Sequence, residues 1–255
     1  MARPLTRTNF HSSKLVRILD ALTVVVSSDS EIDFAEKLGQ WVDIADAIRL
    51  RVATNLGPFT TESPEQSNTC PGADEEYTRI RASLENSIAM RGSPTVDRAQ
   101  IQIMSSTLNE TMDVLSAYEP YRRFYLAHQR DMDLSVRSLR VKVRDMLVKT
   151  SPALKQLATI DAAFDEILSE REGKLFASIP MLLLKRFEQL NLEHRQLNVD
   201  TPQASSSDLR VKPGAWWDRF CNELRTVLLA ELDVRLHPIQ GLIEAFNHEK
   251  RISYE

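Results

Sequence analysis

Apolar residues recur along this chain every three or four positions, the spacing that lines one face of a helix. Leu15, Ile18, Leu19, Leu22 and Val26 predict a first helix over residues 12–27, capped by Ser12 or Ser13. Phe34, Leu38, Trp41, Ile44 or Ala45, Ile48 and Val52 predict a second over 31–55, ended by Gly57 and Pro58. Tyr77, Ile80, Leu84, Ile88 and Ala89 or Met90 predict a third over 74–91. Gly92-Ser93-Pro94 stops it and opens a fourth over 94–118, with Val96, Ile101, Met104 or Ser105, Leu108, Met112 and Leu115 inward.

The most regular pattern starts at Pro120. Tyr121, Tyr125, His128, Met132, Val136, Leu139, Val143 and Met146 step by 4, 3, 4, 4, 3, 4 and 3, close to a heptad seam. Thr150-Ser151-Pro152 predicts a tight turn, because the residue before a proline avoids the helical region. The next helix, over 152–196, carries Leu157, Ile160, Phe164, Ile167, Leu168, Leu175, Ile179, Leu182 and Leu183, with Pro180 expected to kink or break it. The two would form an antiparallel hairpin. If the turn centres between Thr150 and Ser151, facing residues sum to about 301. Arg140 then faces Asp161, and the His128 ring faces Gly173, which would account for a glycine in mid-helix. A last helix over 215–236 places Trp216 or Trp217, Phe220, Leu224, Val227 or Leu228 and Leu232 inward; His237-Pro238 interrupts it before a short tail helix.

Two segments lack periodicity. Residues 57–73 hold three Pro and two Gly, and 197–213 run through Asn198 to Pro202, Ser205-Ser206-Ser207 and Lys212-Pro213. They divide the chain into an N-terminal helical pair (1–56), central helices with the long hairpin (74–196) and C-terminal helices (214–255) packing on the bundle. Composition supports the helical reading: only 7 of 255 residues are Gly, too few for the tight turns of a sandwich, a barrel or a nucleotide-binding sheet. The expected fold is all-α, a bundle of about seven helices with a coiled-coil-like hairpin at 120–196.

Charge adds an asymmetry that the net value of −4 hides. Between Asp29 and Ala47 stand six acids and one base; between Tyr121 and Lys149 stand eight bases and three acids. The basic stripe reads first as a solvated face turned to the acidic N-terminal helix, and second as an anion-binding face. No run approaches the length of a membrane span. Arg17 and Asp20 interrupt the N-terminal apolar segment, so a cleaved signal is not expected and cytoplasmic residence is the default. Cys70 and Cys221 lie far apart with no CxxC neighbour, so both are expected to be reduced, Cys221 as a small core residue.

Catalytic patterns fail one by one. A di-iron carboxylate bundle needs Glu-x-x-His, but Tyr125, Asn191, Val234 and Ala245 stand three residues before four of the histidines. There is no His-Glu-x-x-His, no Walker loop, no Gly-x-Gly-x-x-Gly and no Gly-x-Ser-x-Gly. Glu244 and His248 lie one turn apart and read as a surface pair, since a metal site needs three or four ligands. No catalytic, cofactor-binding or metal-binding residue is assigned.

The runs Pro120-Tyr121-Arg122-Arg123-Phe124-Tyr125 to Met132 and Ser151-Pro152-Ala153-Leu154 to Leu190 resemble an uncharacterised bacterial family, a domain of unknown function. The resemblance implies a bacterial cytoplasmic protein, in a gene neighbourhood of cell-envelope and proton-channel-type motor proteins. It implies no activity. The expected role is a non-catalytic scaffold or adaptor that contacts an unknown protein or a second copy of itself. The alternative is a regulator binding nucleic acid or another anion through the basic stripe. Candidate contact residues are Arg122, Arg123, Arg130, Arg137, Arg140, Arg144, Trp216 and Trp217, because Arg and Trp are common interface anchors.

Overall fold

The computed structural model describes residues 14–22, 44–55, 72–90, 114–199 and 215–253. Within them the chain forms six helices and no strands: α1 (Lys14–Leu22), α2 (Ile44–Asn55), α3 (Ala73–Met90), α4 (Val114–Val148), α5 (Pro152–Val199) and α6 (Ala215–Ser253). The N-terminal part of the expected second helix, most of the fourth, the greater part of both linkers, and Cys70 lie outside the described residues.

The three long helices are the body of the bundle. α4 packs against both α5 and α6, and α5 and α6 also pack on each other. α3 lies along α4 and α6, α2 along α5, and α1 mainly on α6. The α4–α5 turn follows from its sequence. The Ser151 hydroxyl caps α5 by accepting the Leu154 N–H (3.2 Å), and Pro152 sits where a helix needs no donor. The Thr150 hydroxyl donates to the Met146 carbonyl (2.8 Å), satisfying one of the last acceptors of α4. α3 begins on Gly72, whose carbonyl accepts the N–H groups of Glu75 and Glu76. Three acids in its first turn face the positive end of the helix dipole.

The predicted seam of α4 is its buried face: Tyr121, Tyr125, His128, Met132, Val136, Leu139 and Val143 are all buried. Its last member is Leu147 rather than Met146, which is only partly covered. The helix boundaries expected at Pro120 and Pro238 do not occur, and Pro180, expected to kink or break its helix, does not break it. Pro120 lies inside α4, Pro180 inside α5 and Pro238 inside α6. A proline in a helix interior costs about 3 kcal/mol. Around Pro238, Leu236, Ile239, Leu242, Ile243 and Phe246 are all buried, each contributing about 1.5–3 kcal/mol, so tertiary burial outweighs the local penalty. Around Pro120, Tyr118 and Tyr121 do the same, and Tyr118 donates its hydroxyl to the Pro180 carbonyl across the hairpin (2.6 Å).

Candidate interaction surface

The charged face of α4 meets α5 in a clamp. Arg140 donates to both carboxylate oxygens of Asp161 (2.9 and 2.6 Å) and to Asp165 (2.7 Å). Arg144 binds the same two acids (2.6 and 2.8 Å). The facing of Arg140 and Asp161 matches the expected hairpin register. Burial favours the neutral form of Arg140, but the hydrogen bond and charge of Asp161 outweigh it and hold the guanidinium firmly charged. Two of the six candidate arginines are thus consumed within the bundle. Their acidic partners belong to α5, Asp161 as the hairpin register expects; most of the acidic N-terminal segment lies outside the described residues.

The other four lie outside. Arg122, Arg123, Arg130 and Arg137 are exposed. Arg122 and Arg123 share Glu119 (3.5 and 3.4 Å), and Arg137 leans on Asp133 one turn back (3.1 Å). Such exposed pairs within one helix contribute about 0.3–0.5 kcal/mol and leave the side chains available. Arg130 makes no ion pair among the described residues.

Trp216 and Trp217 are buried, 8% and 4% exposed, so neither ring is presented to solvent. They join Tyr118, Tyr121, Phe187 and Phe220 in one aromatic cluster that ties α4, α5 and α6 together. Phe187 is at its centre, with ring centroids 5.0–6.1 Å from those of Tyr121, Trp216, Trp217, Phe220 and Tyr118. Most of these pairs are edge-to-face, the arrangement the ring quadrupoles prefer. Cys221 is also buried here, and burial pushes its thiol up to about 11, so it is a poor nucleophile at neutral pH.

A polar centre that periodicity alone misses lies one turn further along the bundle. Glu231 is fully buried on α6. It accepts the Tyr125 hydroxyl (2.7 Å), the Gln129 amide (3.0 Å) and Arg235 (2.8 Å). Arg235 also stands over the Phe176 ring at 4.2 Å and reaches Asp133 at 3.4 Å. The only sequence signal is an acid inside the run Val227-Leu228-Leu229-Ala230-Glu231-Leu232. Beside this centre is a cleft of about 240 Å³ between α4, α5 and α6, lined by Asp133, Arg140, Asp165, Glu172, Gly173 and Arg235 among others. Burial raises the Glu172 carboxyl above the ordinary range, although Arg235 and Arg140 pull the other way. The arginines and aspartates of the cleft pair with one another, and Ser169 donates to its own helix at the Glu166 carbonyl (3.4 Å). The cleft gathers charge without a nucleophile held by a base.

Gly173 lines that cleft and does not face His128. A side chain added to it would meet nothing within 4 Å. The His128 ring turns to α3 instead, with Nδ1 2.9 Å from the Phe124 carbonyl and Nε2 3.4 Å from the Ser87 carbonyl. Among the described residues no three of His, Cys, Asp and Glu gather as metal ligands, and no helix is long and apolar enough to cross a membrane.

Exposed apolar residues also occur singly on the other helices, such as Val52 on α2 and Met181 on α5, but on the outward face of α4 they form a row. Leu134, Val141 and Val148 are 63%, 51% and 44% exposed, and Ala127 is exposed with them. These four are seven residues apart, as are Arg123, Arg130, Arg137 and Arg144. The helix therefore carries one apolar row inward and a second, lighter one outward beside a row of arginines.

No curated protein and no solved structure matches the chain. The family model described as a protein of unknown function, DUF3348, matches residues 1–248. An all-helical bundle with that match over nearly its whole length belongs to the DUF3348 family.

Proposed function

We propose that this protein is a non-catalytic helical scaffold or adaptor that works through protein–protein contact. The observation that carries the reading is the outward face of α4, where Leu134, Val141 and Val148 stand exposed on a rigid helix among arginines. Exposed apolar residues at heptad spacing fit a partner helix, and arginine rims such contacts. The paired charges of the central cleft and the raised thiol of Cys221 weigh in the same direction, because neither offers an activated nucleophile. The bacterial, cytoplasmic, envelope-linked setting comes to this proposal from the family resemblance alone. The anion-binding reading is weaker: Arg140 and Arg144 are already neutralised by Asp161 and Asp165, so fewer free cations face outward than the sequence counts.

Affinity purification of the tagged full chain with mass spectrometry tests the proposal. The expected result is one dominant protein, this chain or another, retained after nuclease treatment and lost with Leu134→Lys/Val141→Lys. Recovery that depends on nucleic acid and falls steeply with salt would favour the regulator instead.

A further inference from the structure

We infer that the outward face of α4 receives a second copy of this chain, the two α4 helices lying parallel and in register. The inference rests on the contact-protein reading above and adds the partner and its geometry. Ala127, Leu134, Val141 and Val148 recur every seven residues over about 32 Å of helix, the period at which two helices stay in contact. At about 100° per residue, positions three and four further on lie on opposite sides of such a row. One side is therefore Arg130, Arg137 and Arg144; the other is Asp131, Ser138 and Asp145. A basic flank and an acidic flank run along the same apolar stripe.

These flanks decide the orientation. In a parallel two-fold pair, the basic flank of one helix meets the acidic flank of the other at the same height. Arg130 then faces Asp131 of the second copy and Arg137 faces Ser138, while Arg144 stays in its clamp with Asp161 and Asp165 and takes no part in the exchange. In an antiparallel pair the two-fold sets basic flank against basic flank and acidic against acidic, which opposes association. Arg130, Asp131 and Asp145 are exposed and make no ion pair among the described residues, so they are available for this exchange. α3, α5 and α6 pack on the other sides of α4, and among the described residues none covers the stripe. With one apolar residue per heptad on each copy, the contact is lighter than a standard interface of about 800 Å² per partner, so its occupancy should depend on concentration.

Sedimentation velocity on the full chain, from low to high micromolar concentration, reads the association. A concentration-dependent dimer is expected. Leu134→Lys should weaken it by about tenfold or more while leaving the helical circular dichroism unchanged, since the residue is exposed. Arg130→Asp should weaken it, and adding Asp131→Arg in the same chain should restore it, because the swapped pair again has opposite signs. In a Cys70→Ser background, Ala127→Cys should form a disulfide with its own copy on oxidation. Cross-linking only in a mixture of Ala127→Cys and Val148→Cys chains would mean an antiparallel pair and would overturn the inferred orientation. A chain that stays monomeric throughout, or a dimer indifferent to Leu134→Lys, overturns the second copy as partner. If that monomer still retains one other protein in the purification above, and Leu134→Lys loses it, the contact-protein reading stands while this inference falls. If neither is seen, both fall.

Discussion

At the residue scale, the strongest commitment is the buried Glu231. A carboxylate without solvent contact is tolerated only when fully compensated, and here Arg235, Tyr125 and Gln129 supply the compensation. Arg235→Ala should therefore cost about 3–5 kcal/mol, because it leaves the charge behind. The double variant Arg235→Leu/Glu231→Leu should be more stable than the single one, since it removes the uncompensated charge as well. Urea unfolding of the three proteins checks this; a double variant no better than the single one would mean that Glu231 does not depend on Arg235. Glu172 gives a prediction of opposite sense. Burial raises its folded pKa, so what stability it contributes is present below the ordinary carboxylate value of about 4.3 and is lost as pH rises through the folded pKa. Glu172→Gln should stabilise the protein at neutral pH, with the gain fading as pH falls into the acid range. Melting temperatures taken as a function of pH would show it.

At the scale of the element, the helices continue through prolines that local rules treat as stops. Pro238 is exposed on α6, so its ring makes no core contact to lose. Pro238→Ala should restore a backbone donor and raise stability by about 1–3 kcal/mol in urea unfolding. A loss instead would show that the bundle needs a bend at that point. The same feature shows how far the sequence can be read. The buried seam of α4 and the Arg140–Asp161 pairing were legible, because heptad spacing and a short capped turn are local properties. The continuity of α4 and α6 was not, and that of α5 was left open at Pro180, because the burial that outweighs each proline comes from other helices. His128 and Gly173 were misplaced for a related reason. A hairpin sum gives height along the pair but not rotation, and the His128 side of α4 is turned to α3. The outward stripe of Leu134, Val141 and Val148 was present in the sequence, yet a helix with two apolar rows declares which one is covered only after folding. Trp216 and Trp217 were ambiguous between interface and core for the same reason.

At the scale of the whole molecule, one aromatic cluster joins all three long helices, and this sets how the bundle unfolds. Phe187 of α5 is fully buried between Tyr118 and Tyr121 of α4 and Trp216, Trp217 and Phe220 of α6. None of the three helices keeps its apolar face covered if either of the others leaves. Their loss should therefore be a single cooperative event, in which the fluorescence of the tryptophans and the helical circular dichroism change at the same denaturant concentration. Phe187→Ala removes the central ring and should cost about 3–5 kcal/mol, moving both transitions together to lower urea. Leu134→Lys, on the outward stripe of α4, should leave that unimolecular transition where it is at concentrations too low for association. If the fluorescence transition of Phe187→Ala instead separated from the circular dichroism, the aromatic cluster would be a local feature. α4, α5 and α6 would then be held by the Arg140–Asp161 clamp and the Glu231 centre rather than by a shared core.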